Sequence, residues 1–198
     1  MKLHGNLQIE EMLKRSFDIF LVCLLFGVLL VPMIFIALLI KSTSKGPILY
    51  WSDRVGRNNS IFRMVKFRSM RFDTPTVATH LLVEPDNYLT SFGTFLRKTS
   101  LDELPQFFNI IRGDMSFVGP RPALFNQNDL IVLRKLSEID KLTPGLTGWA
   151  QVNGRDDLSI EDKVALDVYY LKNQSFWLDI KILWMTLIKV IRREGVSH

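Results

Sequence analysis

Phe17 to Ile40 reads FDIFLVCLLFGVLLVPMIFIALLI, 24 residues in which Asp18 is the only charge. A helix of roughly 20 apolar residues spans a bilayer, so this run predicts a membrane helix. It is too long for a signal-peptide core, and the following Lys41-Ser42-Thr43-Ser44-Lys45 offers no small-x-small cleavage site. Two features argue against a straight crossing. Pro32 lies inside the run, where a proline removes a backbone hydrogen bond and kinks the helix. Lys14 and Arg15 precede the run, and Lys41, Lys45, Arg54 and Arg57 follow it. Basic residues flanking a membrane helix belong on the cytoplasmic side, so both flanks compete for one face. A helix that enters, turns and leaves by that face satisfies them. An ordinary bitopic anchor with a tolerated proline is the alternative, and the residues themselves leave both open.

The composition agrees with membrane contact. Of 198 residues, 47% are hydrophobic, the upper end of the range for one soluble domain, and mean hydropathy is positive. Cys23 is the single cysteine, so no internal disulfide forms. The net charge of +5 is unevenly spread: up to Arg71 there are 11 Lys/Arg against 4 acids, which leaves the remainder at −2. A basic front half beside an apolar run suits an anionic membrane face or phosphate ligands. A nucleic-acid partner is the competing reading, disfavoured because no recognised nucleic-acid motif is present.

Beyond the apolar run, Ile48 to Met70 reads as strand–turn–strand, with Gly56-Arg57-Asn58-Asn59 as the turn. Phe72 to Asn87 is polar with two prolines and reads as loop. Tyr88 to Lys98 predicts a short helix, and Ser100 to Arg112 a second, ended by Gly113. Met115 to Pro122 is turn-rich, and Thr143 to Arg155 reads as a glycine-punctuated loop. Asn126 to Ile139 and Ser159 to Asn173 have helical spacing. Phe176 to Arg193 places Trp177, Ile180, Trp184, Leu187 and Ile191 on one stripe, with Lys181, Lys189, Arg192 and Arg193 adding charge. That is the pattern of an interfacial helix lying in the membrane plane, or of a helix packed on a core.

The stretch with most chemistry is Leu96-Arg97-Lys98-Thr99-Ser100-Leu101-Asp102-Glu103-Leu104-Pro105-Gln106-Phe107-Phe108-Asn109. Adjacent carboxylates at a helix start have an ordinary explanation, because Ser100 and Glu103 are spaced as a capping box. The sequence that follows points elsewhere. In Gly119-Pro120-Arg121-Pro122 an arginine stands between two prolines, whose fixed φ stiffens the backbone presenting it. Arginine binds phosphate in a planar, bidentate fashion. Pro144-Gly145-Leu146-Thr147-Gly148 then leads to Gln151-Val152-Asn153-Gly154-Arg155, a second glycine-rich loop with an arginine. Carboxylates with several arginines suit a diphosphate substrate and a divalent metal.

Taken in order, Lys66-Phe67-Arg68-Ser69-Met70, Asp102-Glu103-Leu104-Pro105-Gln106, Gly113 to Pro122, Pro144 to Gly148 and Gln151 to Arg155 resemble the bacterial sugar transferases. These are the monotopic polyprenol-phosphate phosphoglycosyl transferases. The resemblance runs from about Lys14 to Ser197, and the length matches the family's minimal members.

The resemblance implies a helix-rich α+β fold. It has a tail over 1–13, a re-entrant membrane helix over 14–41 broken at Pro32, and a cytoplasmic catalytic domain over 42–198. That domain would carry a short β-hairpin and amphipathic interfacial helices at the inner membrane. The implied reaction moves a sugar 1-phosphate from a UDP-sugar to polyprenyl (undecaprenyl) phosphate. It releases UMP through a covalent phosphosugar-aspartate intermediate and initiates surface-glycan, O-antigen or glycoprotein oligosaccharide synthesis. Asp102 is the implied nucleophile. Glu103 assists with metal or proton, and both would hold Mg2+. Arg121 takes the nucleotide-sugar phosphates or uridine, while Arg97, Arg155, Lys66 and Arg68 are further phosphate or structural partners. A helix N-terminus is expected to keep Asp102 ionised. The expected partners are the UDP-sugar, polyprenyl phosphate and inner-membrane lipid, with no nucleic acid and with homo-oligomerisation open. The chain departs from the family at Val31, where a serine usually precedes the proline, and at Ser52, where glutamine is frequent. An inactive membrane adaptor and a bitopic protein with a nucleic-acid-binding domain are the competing functions.

Overall fold

The computed structural model describes residues 2–71, 74, 85–154 and 158–192. The apolar run becomes the core of one long helix, α1 (Lys2–Thr43), which reaches back into the expected tail. Pro32 lies inside α1, and the helix continues on both sides of it without the break that the sequence led one to expect. Helix Glu10–Thr43 is long and apolar enough to cross a membrane, and only 17% of its most apolar window is buried. A core helix of a soluble protein would be mostly covered, so α1 marks a membrane protein.

What α1 does bury lies along its whole length. Val22 joins a core cluster with Phe107, Ile110, Phe117 and Ile182. Met33, Ile36 and Ile40, beyond the proline, join a second cluster with Phe67 and Leu96. Polar anchors reinforce the packing before the proline. Lys14 pairs with Asp179 and donates to the Tyr170 hydroxyl at 3.0 Å, and that hydroxyl donates to Asp179 at 2.7 Å. Arg15 donates to the carbonyls of Ile110 and Ile111, and Asp18 accepts from the Phe117 amide at 3.1 Å.

Strands β1 (Leu49–Val55) and β2 (Ile61–Phe67) pair antiparallel, Leu49 opposite Phe67 and Val55 opposite Ile61. Asn58 and Asn59 sit in the left-handed region at φ 55° and 58°, the non-glycine type that tolerates it best. The expected loop over 72–87 falls mostly outside the described residues, and α2 (Gly93–Lys98) follows a 3₁₀ turn at Pro85–Tyr88.

The expected single helix from Ser100 to Arg112 is corrected. Residues Leu101–Gln106 form a 3₁₀ segment, and only Phe107–Arg112 is α-helical (α3), closed by Gly113 at φ 92°. Pro105 has no amide to donate to the Leu101 carbonyl, so a regular α-helix through this stretch would lack that bond. Ser100 adopts a left-handed conformation at φ 56° and makes no side-chain cap, so the capping-box explanation of Glu103 fails.

The turn-rich and loop stretches conceal a small parallel sheet, β3 (Ser116–Val118) beside β4 (Gly145–Thr147). Around it lie α4 (Asn128–Leu136), α5 (Trp149–Asn153), α6 (Ile160–Asn173) and α7 (Phe176–Arg192). Ser159 caps α6 by accepting from the Asp162 amide at 3.0 Å. On α7, Trp177, Trp184, Leu187 and Ile191 are exposed while Ile182 is buried.

Candidate active site

Asp102 and Glu103 are carried on the 3₁₀ segment, and that segment is fixed from behind. Asn109 on α3 is buried and behaves as a piece of strand against β2: its Oδ1 accepts from the Val65 amide at 3.1 Å, and its Nδ2 donates to the Arg63 carbonyl at 2.8 Å. Buried polar groups so satisfied lock register and orientation. The pairing sets the Asp-Glu segment against β2, the strand that carries Lys66.

The Arg121 loop is held with equal economy. Gly119 donates to the Thr147 carbonyl and Gly145 to the Pro120 carbonyl, both at 2.9 Å. A Cβ on Gly119 would stand 2.4 Å from the Thr143 carbonyl oxygen, and one on Gly145 would stand 2.1 Å from the Gly119 nitrogen. Only glycine lets these backbones approach so closely. Arg121 then reaches across to Glu103, Nη2 to Oε1 at 2.8 Å.

The electrostatics single out Asp102. It is 6% exposed, and burial pushes its carboxyl up to about 6, against the opposing pull of Lys66, Arg97 and Arg121. Desolvation, reinforced by the adjacent Glu103, thus works against the ionised form that the sequence reading expected, and the nearby cations oppose it. Burial likewise pulls the Lys66 ammonium down, with Asp102 the leading group that raises it. A carboxylate poised near neutrality and ringed by cations can act as a nucleophile toward a phosphate that those cations bind.

Of the expected residues, Asp102, Glu103, Lys66, Arg97 and Arg121 are brought together. Arg68 is not part of this cluster. It is buried and donates to the Ser44 carbonyl at 3.1 Å and the Ser44 hydroxyl at 2.7 Å, closing the C-terminal end of α1. Arg155 lies outside the described residues.

Arg54 is the site residue that the sequence reading passed over. Burial and the neighbouring Arg121 push it down to about 10, so it stays charged at neutral pH, and it also acts on Lys66. Its Nε donates to the Ser52 hydroxyl and its Nη1 to the Pro122 carbonyl, both at 3.2 Å. Ser52, the departure from the family pattern, thus supports Arg54. Strand alternation was the available signal, since Tyr50, Ser52 and Arg54 share a face, and Lys66 is Tyr50's partner across the ladder.

Among the described residues, no group of three His, Cys, Asp or Glu side chains gathers to hold a metal ion. Mg2+ needs no such cage when it binds through one or two carboxylates plus substrate phosphates. Asp102 and Glu103 fit that donor set, and the surrounding cations favour a metal arriving with a diphosphate over a bare ion.

Comparison with known proteins places the chain in a family. Residues 9–193 match the model of the bacterial sugar transferase family. The undecaprenyl-phosphate galactose phosphotransferase of Salmonella typhimurium is 38% identical over 216 residues, covering 98% of this chain and 44% of that protein. A sugar transferase of Bacillus subtilis, EpsL, itself uncharacterized, is 40% identical over 191 residues, covering 94% of this chain and 91% of its own length. The UDP-glucose:undecaprenyl-phosphate glucose-1-phosphate transferase of Escherichia coli is 38% identical, with 91% of this chain and 40% of that protein covered. The chain therefore spans less than half of the Salmonella and Escherichia relatives and nearly all of the Bacillus one. With a family match over nearly its full length and relatives at about 40% identity, the chain belongs to the bacterial sugar transferase family.

Proposed function

We propose that this protein transfers a sugar 1-phosphate from a UDP-sugar to polyprenyl phosphate through a phosphosugar bound to Asp102. The observation that carries the reading is the buried Asp102 carboxylate among Lys66, Arg97 and Arg121. A carboxylate oxygen of Asp102 attacks the sugar-proximal phosphorus, and the P–O bond to UMP breaks. A phosphate oxygen of the polyprenyl phosphate then attacks the same phosphorus. The bond to Asp102 breaks, the carboxylate is restored, and a diphosphate-linked sugar leaves. Splitting one displacement into two is the logic of covalent catalysis. Arg121 and Arg97 hold phosphate oxygens, Lys66 favours the ionised carboxylate, and Glu103 orients Arg121 through their ion pair. Mg2+ held by Asp102 and Glu103 would offset phosphate charge.

The test is purified protein in detergent with polyprenyl phosphate and a panel of UDP-sugars that includes UDP-galactose and UDP-glucose. UMP release should follow ping-pong kinetics, and quenching without polyprenyl phosphate should trap sugar phosphate on the chain. Kinetics requiring both substrates bound at once, with no trapped adduct, would point to direct transfer.

The re-entrant reading of α1 belongs to the same proposal, with the site at the cytoplasmic face of the inner membrane. What supports it is that α1 packs on one domain from both sides of Pro32. Asp18 and Val22 touch that domain, and so do Ile36 and Ile40, after about 33 Å of helix. A crossing helix would carry its far half away from that domain. The uncovered faces are apolar: Phe20, Leu24, Val28, Val31 and Phe35 on α1, and Trp177 and Trp184 on α7. The two helices meet where Phe17 and Phe176 pack edge to face at 5.3 Å. Both faces suit a helix pair lying in one leaflet. Single cysteines near Lys2 and near the C-terminus, in a Cys23-free background, should both resist an impermeant thiol reagent in intact cells. Labelling of the N-terminal position alone would defeat the re-entrant arrangement.

A further inference from the structure

We propose that Arg134 and Asp167 form a positioning pair that sets the Arg121 guanidinium through the backbone carbonyl of Arg121. The inference rests on the sugar-phosphate transfer reading, in which Arg121 holds phosphate.

The carbonyls of Pro120, Arg121 and Pro122 are each taken by a different donor. Pro120 accepts from the Gly145 amide at 2.9 Å, Arg121 from Arg134 Nη1 at 2.7 Å, and Pro122 from Arg54 Nη1 at 3.2 Å. Proline fixes φ at positions 120 and 122, so the freedom left in the loop is largely the Arg121 torsions themselves. Pinning the Arg121 oxygen fixes the peptide plane that follows it, and with it the direction in which the side chain leaves. That matters because the Arg121 side chain is 43% exposed and must run out from the loop in the right direction to meet Glu103.

All three Arg134 nitrogens are engaged. Nε and Nη2 both donate to Asp167 Oδ2, at 3.0 and 2.7 Å, which leaves Nη1 aimed at the loop. Arg134 sits in the last turn of α4, and Asp167, 1% exposed, lies in α6. A planar guanidinium forked onto a buried carboxylate has a fixed orientation, so its third nitrogen is a preset donor. A buried ion pair seldom stabilises a fold more than an apolar pair of the same volume would, so stability alone gives this one little reason to exist. Direction gives it one: the pair transmits the rigidity of two helices to one carbonyl.

The experiment is a cycle on UMP release, with melting temperature as control. Arg134→Met/Asp167→Leu removes both charges at similar volume and should keep the fold. It should lower kcat/KM for the UDP-sugar by about tenfold or more, since ångström-scale misplacement of a phosphate clamp is that expensive. In an Arg121→Ala background the same double substitution should cause no further loss. Should the apolar pair fail to fold, Arg134→Lys takes its place. Lysine keeps the charge against Asp167 but offers no fork, so the loss and its dependence on Arg121 should remain. An active wild type whose rate is unaffected by these substitutions, or is lowered equally in both backgrounds, would overturn the positioning role alone. A wild type that releases no UMP from any UDP-sugar would overturn the transfer reading and this inference together.

Discussion

Asp102→Asn should lower turnover by about 10³-fold or more, the scale on which removal of a covalent nucleophile acts. The change keeps volume and removes the attacking oxygen's charge, so no sugar phosphate should be trapped on the variant. Stability separates this from a structural role. Burial raises the Asp102 carboxyl to about 6 from an ordinary 3.8, so the folded state holds its proton more tightly than the unfolded chain does. The stability that Asp102 contributes is therefore full below pH 3.8 and is lost as pH rises through about 6. Above that pH the ionised group burdens the fold, and asparagine relieves it. The variant should melt at pH 8 no lower than the wild type, while its turnover is gone. A variant that kept a near-normal rate would remove Asp102 from the chemistry. One that unfolded would make the carboxylate a structural group.

Lys66→Met should move the acid limb of the rate profile to higher pH. In the wild type, the rate of adduct formation should rise with pH through about 6 as Asp102 ionises. Lys66 is the leading cation opposing the burial that raises Asp102, and methionine matches its length without its charge. An opposite charge at close range commonly shifts a carboxyl by about 1–3 units, so the limb should climb by at least about one unit. At pH 7 the rate would fall about twofold for a climb of one unit and about tenfold for two, with substantial recovery by pH 9. A loss equal at every pH would assign Lys66 to phosphate binding alone, and an unmoved limb would show that Arg97 and Arg121 suffice to hold the carboxylate.

The sequence by itself determined the kind of molecule and the family to which it belongs. The apolar run over Phe17 to Ile40 forms α1 because a membrane helix needs only local hydrogen bonds and length, both written in the chain. Helical spacing and Ser159 as cap likewise fixed α6, and the order of motifs around Asp102, Glu103 and Arg121 pointed to the family in which the chain belongs. Tertiary structure decided the rest. Whether Ser100 caps a helix depended on Pro105 and on how the 3₁₀ segment meets β2, and that contact is non-local. Lys66 and Arg68 are two residues apart on or beside one strand, and look equivalent as phosphate partners. One faces Asp102, while the other closes the end of α1, 24 residues back in the chain. Arg54 was hidden because its role needs the β1–β2 register and the Pro122 carbonyl together. The Asp102 carboxyl has no special value in the sequence at all. It reaches about 6 only when folding strips its water and sets cations around it, because desolvation and Coulomb terms depend on distances that the chain acquires only in three dimensions.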